Sequence, residues 1–416
     1  MSGKLDTVDY ILEDCMETII DYRGKTPIKT TSGIPLITAK IVKGGQILPY
    51  TEYISEEDYE GWMRRGIPKV GDVLITTEAP LGEVAQLNDA HIALAQRIIL
   101  LRGKTGFLDN RYLKYLLQTE TMRAQIEKKG SGTTVVGIKQ RELRKIKLPL
   151  PSYDMQLSLS SILSAYDNLI ENNLARISLL EKMASELYKE WFVRFRFPGH
   201  ETAKFVNGLP EGWEYMPLKN IMTFSRGISY STEELSESDG YNLINLKNIS
   251  AYGGFNYDGT KKFTGKYKES QIVQQGDLVI GITDMTQDRR TVGSVALIPD
   301  LDGISVISAD LLKVNSMIDN IFIYCLCKFG SYSKYFSMFA NGANVLHLRP
   351  DMLYSRKILI PNIDIINEFV MHISPIFEEM TLCHKKNELL SKQRDLLLPR
   401  LMSGKLSVEP LLGQTA

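Results

Sequence analysis

Two short runs, Arg23-Gly24-Lys25-Thr26 and Arg102-Gly103-Lys104-Thr105, end as a nucleotide-binding P-loop ends, with a lysine and a threonine placed to meet phosphate and its magnesium. That chemistry needs a glycine five positions ahead of the Gly-Lys pair so that the backbone can wrap the phosphates, and Ile19 and Ile98 stand there instead. Neither run is a P-loop. The sequence also has no Gly-x-Gly-x-x-Gly after a strand, no His-Glu-x-x-His, and no Asn/Asp-Pro-Pro-aromatic run of the kind amino-methyltransferases use to hold a base. Cys325-x-Cys327 lacks the spacing and the second pair of a zinc site, and its apolar surroundings predict buried thiols. Cys383 and His384 adjoin in a heptad-patterned stretch, His91 and His347 have no triad partners in view, and none of the five histidines is assigned to catalysis.

The residues that remain suit recognition. Lys and Arg neutralise phosphates, the Arg fork matches guanine, and Asn or Gln matches adenine. Loop and strand-end positions with these types in the first half are Arg23, Lys25, Lys40, Lys43, Thr76, Thr77, Gln96, Arg97, Ser131, Thr133, Thr134 and Lys139. In the second half they are Arg226, Lys247, Asn248, Asp284, Arg289, Arg290, Asn341, Asn344, His347 and Arg349. Each is equally explicable as solvated surface. The chain as a whole balances 49 basic against 49 acidic residues, yet Arg97 to Lys147 holds 13 Lys/Arg against four acids, a local net of +9. Such separation lets one face meet phosphates, although a solvated helix face would give the same run.

Positioning these residues requires strands. Val73-Leu74-Ile75, Val84-Ala85-Gln86-Leu87, Ile98-Ile99-Leu100-Leu101, Leu278-Val279-Ile280 and Ser294-Val295-Ala296-Leu297-Ile298 are short apolar runs bounded by turn residues. Helical stretches over Arg111 to Lys128 and Ile321 to Phe339 each lead into a glycine loop, Gly130-Ser131-Gly132-Thr133-Thr134 and Asn341-Gly342-Ala343-Asn344. Those loops are either turns needing positive φ or close backbone approaches to phosphate. Much of this is said twice: Gly71-Asp72-Val73-Leu74-Ile75-Thr76 is echoed by Gly276-Asp277-Leu278-Val279-Ile280-Gly281, and Leu36 to Lys40 by Leu243 to Lys247. Where the first copy continues Thr76 to Gly82, the second has a longer loop from Gly281 to Gly293, so the halves should read different targets.

Each copy ends in a long helix with an apolar seam. From Leu159 the positions Leu163, Tyr166, Ile170, Asn173, Ile177, Leu180, Ala184, Leu187 and Trp191 follow in steps of four and three, the heptad spacing of a coiled coil. About 210 residues on come Phe369, Ile373, Ile376, Met380, Cys383, Asn387, Leu390, Arg394, Leu397 and Leu401. Leu157 to Trp191 is 35 residues, or roughly 52 Å at about 1.5 Å per residue, longer than the roughly 34 Å of one DNA turn. Asn173 and Asn387 either fix register or sit at a poorly packed layer. At Pro375 either Ser374 caps a restarting helix or the rod kinks. Between the copies, Trp191-Phe192-Val193-Arg194-Phe195-Arg196-Phe197 is docking surface, core or base-stacking platform, and Gly208-Leu209-Pro210-Glu211-Gly212-Trp213 opens the next globule.

With 416 residues and 44% hydrophobic content the chain can bury two or more cores. No run of about 18 apolar residues predicts a membrane span, the amino terminus lacks a signal-like apolar stretch, and four unpatterned cysteines suit a reducing cytoplasm.

The order of these parts resembles the specificity subunit of type I restriction-modification enzymes. The resemblance covers essentially the whole chain and is most specific at Leu187-Tyr188-Lys189-Glu190-Trp191-Phe192-Val193, at Thr76-Thr77-Glu78-Ala79-Pro80-Leu81-Gly82, and at Gln393-Arg394-Asp395-Leu396-Leu397-Leu398-Pro399-Arg400-Leu401-Met402-Ser403-Gly404-Lys405-Leu406. It implies an α+β fold with an internal pseudo-two-fold repeat: similar strand-rich target-recognition globules at 1–153 and 201–363, joined by antiparallel coiled-coil spacer helices, the first at 154–200 and the second, with a carboxy-terminal tail, at 364–416. It implies a non-catalytic, cytoplasmic subunit that reads a bipartite duplex DNA sequence. Two modification subunits carrying S-adenosylmethionine would dock on it, and restriction subunits using ATP and magnesium could join them, so no cofactor or metal is expected in this chain. A free-standing DNA methyltransferase or nuclease would instead bind its cofactor without a partner. A coiled-coil scaffold unrelated to DNA would leave the basic cluster unexplained.

Overall fold

The computed structural model describes residues 5–22, 26–132 and 135–406. They form two compact units, Met1–Asn172 with Lys386–Ala416, and Asn173–Lys385. In the first unit Met16–Asp21 (β1), Val73–Thr77 (β2), Leu81–Gln86 (β3) and Ile98–Gly103 (β4) make a sheet in the order β1-β4-β2-β3, antiparallel throughout. Successive residues of a strand face opposite sides. Val73, Ile75, Ile99 and Leu101 therefore enter one core, with residues of Asn110–Gln118 (α1) and Glu120–Lys128 (α2), while Leu74, Ile98 and Leu100 enter another with Ile34, Leu36 and Ile54. Two buried faces explain why these strands read as continuous apolar runs instead of alternating ones. The helix expected over residues 111–128 is two. Thr119, in extended conformation, ends α1 and caps α2, its hydroxyl accepting from the Met122 N–H at 3.4 Å.

Val8–Ile11 pairs antiparallel with Lys147–Leu150, which delivers the chain into Tyr153–Phe192 (α3). The second unit repeats the plan. Met222–Arg226 (β5), Leu278–Gly281 (β6), Val295–Leu297 (β7) and Leu311–Ser316 (β8) form an antiparallel sheet in the order β5-β8-β6-β7. Asn320–Phe329 (α4) and Tyr332–Ser337 (α5) are separated at Gly330 and at Ser331, whose φ of 65° breaks the single helix expected there. Glu214–Pro217 pairs antiparallel with Lys357–Ile360, which leads into Ile363–Met402 (α6).

The helices α3 and α6 pack together in both units. In the first, Asp167 meets Arg394 at 2.7 Å and the Ile170 carbonyl accepts from Asn387 at 3.4 Å. In the second, Arg176 meets Glu379 at 3.1 Å and the rings of Trp191 and Phe192 lie 5.6 and 4.8 Å from that of Phe369. Residue numbers fall along α6 as they rise along α3, so the pairing is antiparallel. Leu163, Ile170, Ile177, Ala184 and Ile373 are buried, and Tyr166, Asn173, Leu180, Leu187, Ile376, Met380, Asn387, Leu390 and Leu397 are half-buried. Leu401 is buried in the first unit's core, with Leu397 and Leu398 packed against it. The helix α6 does not restart at Pro375: it runs through, with the Ser374 hydroxyl donating to the Val370 carbonyl at 2.7 Å. Pro375 has no N–H to give the carbonyl four residues back.

Candidate nucleic-acid interface

In the first globule three segments meet beyond the end of β2. The Thr77 N–H donates to the Arg97 carbonyl and the Ile138 N–H to the Thr77 carbonyl, both at 2.9 Å, while Ser131 and Gly137 exchange main-chain bonds at 2.8 and 3.1 Å. These bonds frame a depression of about 340 Å³ lined by Thr77, Glu78, Gln96, Arg97, Ser131, Gly137, Ile138 and Lys139. Arg97 and Glu78 form an ion pair, Nε and Oε1 2.7 Å apart, and both side chains remain partly exposed. A Cβ on Gly137 would lie 3.1 Å from both the Glu78 Cβ and the Thr77 carbonyl oxygen, so a bare backbone is what lets the segments close up. Close by, Gly132 can only be glycine, because its φ is +130° and a Cβ there would meet the Val135 oxygen at 2.2 Å.

The second globule uses the same frame. The Ile282 N–H donates to the Asp310 carbonyl at 2.9 Å, the Leu348 N–H to the Ile282 carbonyl at 2.8 Å, and Asn341 and His347 exchange bonds at 3.0 and 2.9 Å. Thr283 pairs with His347 in register, and its hydroxyl donates to Asp310 Oδ1 at 2.8 Å.

Five residues singled out from the sequence, Thr77, Gln96, Arg97, Ser131 and Lys139, thus share one depression. Thr76, Asn248 and Asp284 are corrections, for they are buried and their polar atoms serve the fold. Thr76 donates to the Pro80 carbonyl and accepts from the Glu83 N–H, bracing the β2–β3 hairpin. Asn248 donates to Asn256 and Thr260 and accepts from the Asn245 N–H. Asp284 accepts from the N–H groups of Thr286, Thr291 and Val292. Burial would raise its pKa, and the main-chain N–H and hydroxyl groups of Thr291 and Thr286 outweigh burial and lower it to about 2. Thr77 is also buried and offers its main chain to the floor.

Elsewhere, Arg289 donates to the Ser337 and Met338 carbonyls, Arg290 pairs with Asp288, Arg226 donates to the Ala309 carbonyl, and Arg349 pairs with Asp351. Lys40 and Lys247 are exposed in matching 3₁₀ turns, and Lys43 and Asn344 are exposed. Arg23, Lys25, Thr133 and Thr134 lie outside the described residues. Asp310, Thr283 and Gly137 were missed. Aligning β4 with β8 would have found Asp310, since it directly precedes β8 as Arg97 precedes β4.

Thiol chemistry has no foothold at Cys325 and Cys327: both are buried, and burial raises the first well above its ordinary pKa and pushes the second up to about 12. Among the described residues no helix is long and apolar enough to cross a membrane.

The family described as type I restriction modification DNA specificity domain matches the chain twice, at residues 18–182 and 210–392. The MjaIX type I restriction enzyme specificity subunit of Methanocaldococcus jannaschii is 28% identical over 412 residues, covering 93% of this chain and 91% of the relative. The putative MjaX specificity subunit of the same organism is 25% identical over 413 residues, covering 96% and 93%. The crystal structure of a type I restriction-modification S subunit from M. genitalium shares the fold with a TM-score of 0.56 at 15% identity, covering 95% of this chain and 96% of that one.

Proposed function

Because the chain belongs to the type I restriction modification DNA specificity family, whose domain it carries twice, we propose that it is the DNA-recognition subunit of a type I restriction-modification complex, each globule reading one half of a bipartite duplex target. The observation that carries this reading is that both globules hold one main-chain frame yet line it with different side chains, Glu78 and Arg97 in one and Thr283 and Asp310 in the other. Phosphate contacts from exposed cations such as Lys139 would set register, and the side chains in the frame would meet base edges.

The chain is then an adaptor without catalysis of its own. Leu169, Leu179 and Met183 on α3 and Met371, Leu389 and Leu396 on α6 are exposed and lie off the seam. They supply apolar surface on which two modification subunits dock, with restriction subunits able to join. S-adenosylmethionine, ATP and magnesium belong to those partners, a reading supported by the missing P-loop and methyltransferase motifs in this sequence.

Selection from a pool of randomised duplexes by the full-length chain in its assembled methyltransferase complex tests the proposal. A two-part motif with a fixed gap is expected, bound with an affinity that falls steeply with salt, by a log–log slope of about −0.9 per phosphate neutralised. An uninterrupted motif, or none, rejects it.

A further inference from the structure

Since one pattern of main-chain bonds builds both readers, every side chain in the first has an address in the second. Thr77 corresponds to Ile282 and Ile138 to Leu348, which places Arg97 against Asp310, Glu78 against Thr283, Gly137 against His347 and Lys139 against Arg349. Of the last four correspondences, one preserves its chemistry. Lys139 and Arg349 are both exposed cations directly ahead of a short helix. A feature kept in both copies suits what any two stretches of duplex share, the phosphate backbone, which carries no sequence information. The other three addresses invert charge or bulk.

Resting on the reading of each globule as a half-site reader, we propose that the Arg97–Glu78 and Asp310–Thr283 pairs determine which base each globule accepts, Arg97 a guanine and Asp310 the exocyclic amino group of a cytosine. Glu78 pairs its charge with Arg97, Oε1 lying 2.7 Å from Nε. The planar guanidinium carries its two terminal nitrogens as a fork, the geometry that matches guanine O6 and N7. Asp310 carries the opposite sign. Its Oδ1 is fixed by the buried Thr283 hydroxyl at 2.8 Å, and its Oδ2 is an acceptor that suits the cytosine N4 amino group and repels the acceptor edges of guanine and thymine. Adenine also offers an amino group, but its N7 acceptor lies beside it. Discrimination by repulsion complements discrimination by attraction. The third inverted address reinforces the difference: His347 places an exposed imidazole where Gly137 leaves the first site hollow.

The experiment repeats the duplex selection with full-length variants in the assembled complex, each checked by its thermal unfolding midpoint. Arg97→Gln and Arg97→Lys should lower the preference for guanine at one position of one half-site by roughly five- to 150-fold, the range for a lost bidentate pair, and leave the other half-site as in the parent. Asp310→Asn should do the same for a cytosine in the other half-site, and Asp310→Glu, which keeps the acceptor but moves it, serves if the asparagine variant does not fold. Glu78→Gln and Thr283→Val should shift preference at the same positions as their partners. Variants that keep every base preference, that weaken binding uniformly across sequences, or that relax both half-sites together overturn the assignment. A parent complex that selects no two-part motif overturns the proposed function itself.

Discussion

A carboxylate 3% exposed is expensive to keep charged unless donors surround it, and Asp284 is 3% exposed. Burial acts to raise its pKa, and the main-chain N–H and hydroxyl groups of Thr286 and Thr291 overcome that and bring it to about 2, below the ordinary 3.8. The bonds therefore contribute fully above about pH 4 and are lost as the pH falls through about 2. Asp284→Asn should lower the stability of the second unit by about 1–3 kcal/mol at neutral pH. In urea titrations at a series of pH values the gap between parent and variant should close toward pH 2, and a gap that stays constant would remove the charge from the account. Thr76, Asn248 and Asp284 also mark where sequence reading fails. Short polar side chains beside strand ends bond their own loops as readily as they bond a ligand. Nothing in residue type separates the two uses, and Asp310, directly ahead of β8, is distinguished only by its place before that strand.

The elements were more legible, because a seam in steps of three and four persists from Leu159 to Trp191 and again from Phe369 to Leu401, and no local event can imitate it. Breaks inside shorter helices depend on single residues, and Thr119 and Ser331 interrupt stretches whose apolar pattern runs on unbroken. At Pro375 a restart is ruled out, since α6 runs on past the missing N–H. The rods are also fastened to what they carry. In the first unit Asp167 of α3 accepts from Lys114 Nζ at 2.6 Å, from the Tyr115 hydroxyl at 2.6 Å and from Arg394 of α6 at 2.7 Å, and all four side chains are buried or nearly so. Burial raises the Asp167 pKa, but Lys114 and the other donors outweigh it and hold it below the ordinary carboxylate value. Asp167→Ala would leave Lys114 without its counter-charge and Arg394 with Asp395 alone. A loss of roughly 3–5 kcal/mol is expected by chemical denaturation, and a loss under about 1 kcal/mol would mean that solvent reaches the cluster.

At the scale of the whole molecule the duplication was plain from echoed strands, but the correspondence of Arg97 with Asp310 was hidden. The connection from Thr77 to Arg97 is shorter than that from Ile282 to Asp310, so a constant offset cannot align both ends, and the match emerges only when β4 is aligned with β8, as the main-chain hydrogen bonds align them. Exchanging residues 201–363 for the corresponding globule of a relative should change one half of the selected motif and keep the other. A change in both halves would contradict a division of labour between the globules. The two units also divide the chain unevenly, for the first is built from residues up to Asn172 and again from Lys386 onward. Leu401 fills its core beside Leu163, and Arg394 reaches Asp167. On the ribosome, every residue of the second unit has therefore emerged before the first receives the helix that completes it. The globule translated first is the last to mature, and a chain interrupted before Lys386 leaves unfinished the globule farthest from the break.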